Sequence, residues 1–315
     1  ENFAKRPCAD IDLHQVGYLF LHTDPTSWSI AQDAVALQNA IGVPTQLLTA
    51  AEAARLSPGA VVDDVIGATF HGRDGFCSPE NVVHGYAWAA RQRGATIKVG
   101  TAVTGIETSG GEVIGVHTAD GVVRTSTVIC AAGAWSAQIG HWAGQPLPIQ
   151  PLRRQILVSE PLGPELRGVF ADTTPMTIDA ASTLYFHREG PGLLIGMSYT
   201  GETPGFHDGF SDAWSDDLAA AMEHRSPTLL DLGIAHRWAG YYEVTPDHNA
   251  VIGESSEVSR FLYAAGFSGH GFLQAPAVGE VVRDLYLGRE PVVDVSSLAV
   301  DRFAVGRTLS ELNIV

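Results

Sequence analysis

The stretch FLYAAGFSGHGFLQAPAVGEVV, residues 261–282, constrains the fold more than any other part of the chain. An apolar run, Phe261 to Ala265, meets three glycines, Gly266, Gly269 and Gly271, and a helical spacing of Val278, Val281, Val282 and Leu285 follows. Strand, glycine loop and helix in that order are how proteins cradle a nucleotide, because the bare backbone approaches the ligand and a helix N-terminus faces it. The spacing, however, is G-x-x-G-x-G and not the dinucleotide G-x-G-x-x-G. A second junction of the same kind is TVICAAGAWSAQIG, residues 127–140. There Val128 to Ala132 reads as strand, Gly133 as the turn, and Ala134 to Ile139 as the start of a helix. Taken alone, this second junction is also what an ordinary tight strand–helix turn looks like.

A chain of 315 residues forms one large domain or two medium ones, and with 45% apolar and 17% charged residues it buries a sizeable core. Its formal net charge of −16 argues against nucleic acid or an anionic membrane as partner, since both need clustered Lys and Arg. Cys8, Cys77 and Cys130 are an odd number without a C-x-x-C pair, which suits a reducing, cytoplasmic setting and forms neither a disulfide framework nor a zinc site. Twelve histidines include no H-E-x-x-H, so no metal is expected. No apolar run has the length of a membrane span. The opening ENFAKRPCAD has no initiator Met and no signal-peptide pattern, and is expected to mark a fragment or a processed chain.

Helices are expected over TDPTSWSIAQDAVALQNAIGVP with Ser or Thr near its start, and over LTAAEAARLSPG with a capping box of Thr49 and Glu52. A third is CSPENVVHGYAWAARQRGA, with Ser78 as cap, Pro79 at the first helical position and Gly94 as stop. Three apolar runs, ATIKVGTAVTGIET, EVIGVHTA and VVRTSTVICAAG, are separated by Gly110-Gly111 and Asp120-Gly121, which is the turn chemistry of a β-meander. Residues 150–209 are strand-like and SDDLAAAMEHR is helical. The sum is an α+β chain in which glycine-rich segments at 75–150 and 240–290 bracket a sheet-rich one, as two domains of discontinuous pieces.

Two serines sit in near-misses of a nucleophile elbow, Ser268 in GFSGH and Ser198 in GMSYTG, and neither completes G-x-S-x-G. WAGYYEVTPDHNAVIG, residues 238–253, sets Tyr241 and Tyr242 beside a carboxylate and an Asp-His-Asn turn. Alternation along a strand lets at most one of the two tyrosines face a given pocket, and core packing accounts equally well for either.

The ordered set DGFCSPENVVHGYAWAARQRGATI, TVICAAGAWS, PLRRQILVSEPL, GYYEVTPDHNAVIG, AAGFSGHGF and APAVGEVV resembles the D-amino-acid-oxidase-type FAD-dependent oxidoreductases. Within them it is most similar to the branch of sarcosine oxidases, dimethylglycine dehydrogenases and catalytic subunits of heteromeric L-proline dehydrogenases. The resemblance implies an α+β / α/β, two-domain flavoprotein with a glutathione-reductase-like FAD domain (71–150 and 236–315) and an antiparallel-sheet substrate domain (1–70 and 151–235). It implies that Ala132, Gly133 and Trp135 lie by the FAD pyrophosphate and ribose and that Val103 touches the adenine. Gly266, Phe267, Ser268, Gly269, His270, Gly271 and Phe272 would lie along the isoalloxazine. Tyr242 matches a substrate-contacting tyrosine, and His270 is flavin-proximal, with a purely structural role standing beside that reading. Gly240 stands where members with covalent FAD carry cysteine, so FAD is expected to be non-covalent.

Two departures from the family pattern matter. The family opens with a strand, G-x-G-x-x-G, a helix and a ribose-binding acid; none of these is in the 315 residues, so the first βαβ unit, roughly 30 residues or more, is expected to be absent from this chain. Leu194 and Ser198 stand where sarcosine oxidases carry a dioxygen-activating lysine and a histidine, and Leu273 replaces a substrate-binding lysine. A cation beside the flavin favours the charge formed as dioxygen is reduced, so its absence makes a dehydrogenase the better expectation than a fast oxidase. The expected activity is hydride removal from the carbon beside nitrogen in a secondary or tertiary amine or amino acid of sarcosine, dimethylglycine, glycine or proline type. Arg154 and Arg188 are candidate carboxylate anchors, each also explained as an ordinary surface ion pair. The acceptor of the electrons is left open, and a hetero-oligomer partner subunit is an option taken from the heteromeric relatives. The alternative from another class is a non-catalytic flavoprotein-like subunit or assembly factor.

Overall fold

The computed structural model describes residues 9–308 together with Phe3 and Lys5; Cys8 lies outside the described residues. The chain forms two compact units from discontinuous segments. Glu1–Ile97, Gln155–Thr200 and Gly209–Ala239 make the first, and Lys98–Arg154, Gly201–Asp208 and Gly240–Val315 the second. Residues 71–97, expected beside 98–150, thus fall in the first unit. Main-chain bonds hold them there: Gly17 N–H to Asp74 O (2.8 Å), His14 N–H to Phe76 O (2.9 Å) and Ser78 N–H to Ile11 O (2.8 Å). Residues 201–208, expected in the sheet-rich segment, fall in the second. Arg153 binds Glu202 at 2.9 Å, and Gly205 N–H donates to Pro151 O at 2.8 Å.

In chain order, β1 (Tyr18–His22), α1 (Pro25–Ala40), β2 (Gln46–Leu48), α2 (Ala50–Leu56), β3 (Gly67–His71) and α3 (Pro79–Gln92) come first. β4 (Val103–Ser109), β5 (Glu112–Thr118), β6 (Gly121–Arg124), β7 (Val128–Cys130) and α4 (Ser136–Ala143) follow. Next are β8 (Gln150–Ser159), α5 (Leu166–Val169), β9 (Met176–Asp179), β10 (Tyr185–Glu189), β11 (Gly192–Met197) and α6 (Asp212–Arg225). The last elements are β12 (Ile234–Val244), β13 (Val251–Glu254), β14 (Phe261–Ala265) and α7 (Gly271–Tyr286). The α2 capping box of Thr49 and Glu52 forms, and Ser78 caps α3 ahead of Pro79, as their sequences predict. At α1 the cap is not the Ser or Thr expected but Asp24, whose carboxylate accepts the Ser27 N–H at 2.8 Å.

The large sheet has eight strands in the order β12-β8-β11-β10-β9-β1-β3-β2, with β1 and β9 parallel and the remaining pairs of known register antiparallel. Within the first unit its core is Leu157, Phe186, Leu193 and Ile195 packed with Trp214 and Leu218 of α6. The Trp214 indole N–H donates to the Met197 carbonyl at 2.9 Å, so the largest core side chain leaves no buried polar atom unmet.

In the second unit the expected meander divides. β4, β5 and β6 form a three-stranded antiparallel sheet, but β7 leaves it for a second sheet ordered β13-β14-β7. The reason lies in burial. β14 is buried along its whole length, so its flank is filled by β7, a short apolar strand, in parallel register. That pairing positions the site.

Candidate functional site

Because β7 and β14 are parallel neighbours, with Phe261 opposite Val128 and Tyr263 opposite Cys130, the two glycine junctions leave the sheet at the same edge. In open α/β sheets the crevice outside the carboxyl ends of parallel strands is where ligands bind. The first junction is tighter than expected, since β7 ends at Cys130, not Ala132. Ala132 leads into a 3₁₀ turn, Gly133–Trp135, and α4 begins only at Ser136. Gly133 has φ +52°, in the left-handed region where a side chain is strained.

The second junction turns its side chains inward. Phe267 packs on Ala250, Ile252 and Val281. Ser268 is fully buried, its hydroxyl donates to the Gly266 carbonyl at 3.3 Å and its N–H to the Glu243 carbonyl at 3.0 Å. The Ser268 hydroxyl is thus turned into the protein and engaged by the backbone. Gly269 has φ +100°, and a Cβ there would lie 2.5 Å from the Tyr242 ring. His270 stands at the N-cap of α7 with no side-chain cap, Gly271 opens the helix, and Phe272 and Leu273 are 50% and 70% exposed. What this loop offers a ligand is mainly backbone.

β12 holds the rest. Tyr241 and Tyr242 point to opposite faces, as strand alternation requires. Tyr241 donates to the His207 carbonyl at 2.9 Å and meets Trp135 and Phe206 edge-on, while Trp135, 57% exposed, stacks on Phe206 at 5.2 Å. Tyr242 carries the Arg154 guanidinium over its ring at 4.9 Å and covers Gly269, the residue before His270. Burial raises its phenol pKa, and the Arg154 charge works against that rise. Arg188, the other candidate anchor, is committed to Asp172 at 3.0 Å and to the carbonyls of Gly190 and Pro191. Val103 opens β4, which packs on α4.

Sequence reasoning passed over Glu243. A Cβ on Gly133 would sit 3.8 Å from its Oε2, the Phe267 N–H donates to its carboxylate, and burial pushes its pKa up. An acid two residues beyond Tyr241 in a strand has the same pattern as any solvent-facing acid, so no sequence signal singles it out. Leu194 lies in β11 and Ser198 directly follows that strand, and neither side chain carries a charge. Among the described residues no group of His, Cys, Asp and Glu is placed to hold a metal ion, and no helix is long and apolar enough to cross a membrane.

The model of one family, FAD dependent oxidoreductase (DAO), matches residues 1–285. This chain belongs to that family. It is 27% identical over 303 residues to mitochondrial sarcosine dehydrogenase of Mus musculus, a match that covers 92% of this chain and 32% of that protein. The chain therefore spans about a third of that relative's length. Among solved structures it is similar to L-proline dehydrogenase from P. horikoshii, with a TM-score of 0.89, 32% identity and coverage of 98% of this chain and 81% of that one. Glycine oxidase from Geobacillus kaustophilus superposes with a TM-score of 0.82 at 25% identity, covering 96% and 78%. FAD is the cofactor of the family. The residues here fit it: two left-handed glycine turns at one sheet edge, an uncapped start to α7 and an exposed Trp135 are a cradle for a large ligand with an anionic centre.

Proposed function

We propose that this chain is the flavin-binding, amine-oxidising part of an FAD-dependent dehydrogenase for a secondary or tertiary amine or amino acid, of the sarcosine, glycine or proline type named in its relatives. One observation carries the reading: β7 and β14, parallel neighbours, each end in a left-handed glycine turn at the same edge, within a chain of the FAD dependent oxidoreductase family. In this reading Ala132, Gly133 and Trp135 hold the pyrophosphate and ribose, Val103 the adenine, and the backbone of Gly266, Phe267, Ser268, Gly269, His270, Gly271 and Phe272 follows the ring. The chemistry that bound FAD would supply is two-electron acceptance, taking a hydride from the carbon beside the substrate nitrogen and leaving an iminium, which a secondary amine turns into an imine by losing its N–H proton to water.

The protein's part is to orient the amine and exclude water. Tyr242, fixed by Arg154 and Gly269, is the pocket wall, and an amine bound in its neutral form needs no strong general base. Gly240 has no nucleophile to bond the ring, which supports non-covalent FAD. Leu194 and Ser198 add no cation to favour dioxygen reduction, which supports an acceptor other than dioxygen. β7 is the outer strand of its sheet, and Ile129 on it is 44% exposed, as expected if a further βαβ unit pairs along that edge to complete the FAD domain.

The test is a visible spectrum of the full-length protein, repeated on the supernatant after acid precipitation, followed by turnover assays. Flavin bands moving to the supernatant are expected, with sarcosine or proline oxidation coupled to an artificial dye and little oxygen uptake. A flavin-loaded protein that turns over no secondary amine with any acceptor would favour the non-catalytic subunit instead.

A further inference from the structure

We propose that Glu243 is a cofactor-binding residue whose carboxylate accepts hydrogen bonds from the vicinal hydroxyls of FAD, on the ribityl chain or on the ribose. The proposal rests on the FAD reading above and assigns a role that neither the glycine motifs nor the family match contains.

The first observation is placement. Glu243 lies between the two junctions: its main-chain carbonyl accepts the Ser268 N–H at 3.0 Å, its carboxylate accepts the Phe267 N–H, and its Oε2 is the one atom within 4 Å of where a Cβ on Gly133 would be. The second observation is that, among the described residues, no cationic side chain acts on the Glu243 carboxyl. Other half-buried or buried acids of this unit are matched to arginine: Glu202 to Arg153 at 2.9 Å, Asp247 to Arg302 at 2.8 Å, Asp284 to Arg283 at 2.8 Å. The stabilising contacts of the Glu243 carboxyl are instead the N–H groups of Phe267 and of its own residue. Taking a carboxylate out of water without a counter-ion is costly unless donors meet its oxygens. An ionised carboxylate offers about four acceptor sites, so capacity remains on the side toward Gly133.

Chemistry then selects the donor. A carboxylate repels the pyrophosphate and cannot accept from it, whereas hydroxyls on neighbouring carbons donate to its two oxygens. The burial of Glu243 strengthens such bonds once the ligand excludes water.

The experiment measures dissociation constants of FAD, FMN, ADP and lumiflavin for the cofactor-stripped full-length protein, its Glu243→Ala variant and its Glu243→Gln variant. Loss of hydrogen bonds to a charged group should weaken FAD about ten- to a hundredfold in Glu243→Ala, with partial recovery in Glu243→Gln, which keeps one acceptor oxygen. If FMN weakens with FAD while ADP and lumiflavin do not, the ribityl hydroxyls are the donors. If ADP weakens with FAD while FMN does not, the ribose hydroxyls are. Equal affinities in all three proteins, weakening of lumiflavin, or uniform loss of every ligand together with a lower melting temperature would overturn the proposal and leave Glu243 as a brace for the loop. A wild-type protein that binds none of the four ligands would overturn the FAD reading itself, and this proposal with it.

Discussion

The two glycine junctions share a sheet, an edge and a direction, yet they present opposite things to solvent. At Gly133 the turn is a single 3₁₀ step, and its last residue, Trp135, stands outward against Phe206. Across 266–271 the side chains of Phe267 and Ser268 go inward, and the surface is left to glycines and the start of α7. The difference follows from what lies underneath. A Cβ added at Gly133 would meet only the Glu243 carboxylate at ordinary contact distance, whereas one added at Gly269 would run into the Tyr242 ring. One junction is built to tolerate a neighbour, the other to be backed by one.

Substitution by alanine should separate them sharply. At Gly269 a Cβ collides with a ring that also carries the Arg154 guanidinium, and φ +100° adds strain. Gly269→Ala is expected to lose about 2–4 kcal/mol, the sum of left-handed strain and overpacking. Urea denaturation checks it, as a lower midpoint at unchanged slope. At Gly133 the added carbon meets nothing closer than 3.8 Å, so only the strain of φ +52° applies. Gly133→Ala should cost about 1–2 kcal/mol, and the same denaturation series measures it. Equal losses at the two positions would mean that the contrast in packing has no energetic weight.

Much of this was legible beforehand, for reasons that differ by element. Helix starts followed from local chemistry: Ser78 with Pro79 and Thr49 with Glu52 satisfy their own backbone donors, so no distant residue was needed to place them. The glycine loop was legible because three glycines between an apolar strand and a helix have few other uses. The split of the meander was not, since β6 and β7 are joined by three residues and only the partner β14, more than a hundred residues later in the chain, takes β7 away. The boundary of the units was missed for the same reason: Arg153 and Glu202 pair across 49 residues. Glu243 was invisible because its meaning comes from Gly133 and Phe267, which reach it only through the fold.

The smallest effect expected concerns Glu243 itself, the residue that lies between the two junctions. Burial raises its pKa in the folded protein, so the charged form is disfavoured there relative to the unfolded chain, whose carboxyl titrates near the ordinary 4.5. Above the raised folded pKa both states are ionised and the folded one bears the cost of a buried charge. As pH falls through the raised folded pKa toward 4.5, the folded state takes up its proton first, and this cost is relieved. Wild-type stability should therefore gain on Glu243→Gln as the pH is lowered through that window and stay level with it below 4.5, because the amide has no charge to lose. The comparison is read as the difference between the two urea midpoints against pH in cofactor-free protein. A difference that is flat across the window would mean that the carboxyl meets enough water between the two turns to titrate normally, and that the pocket beside Gly133 is open to solvent on a side where the static packing shows only the Glu243 oxygen.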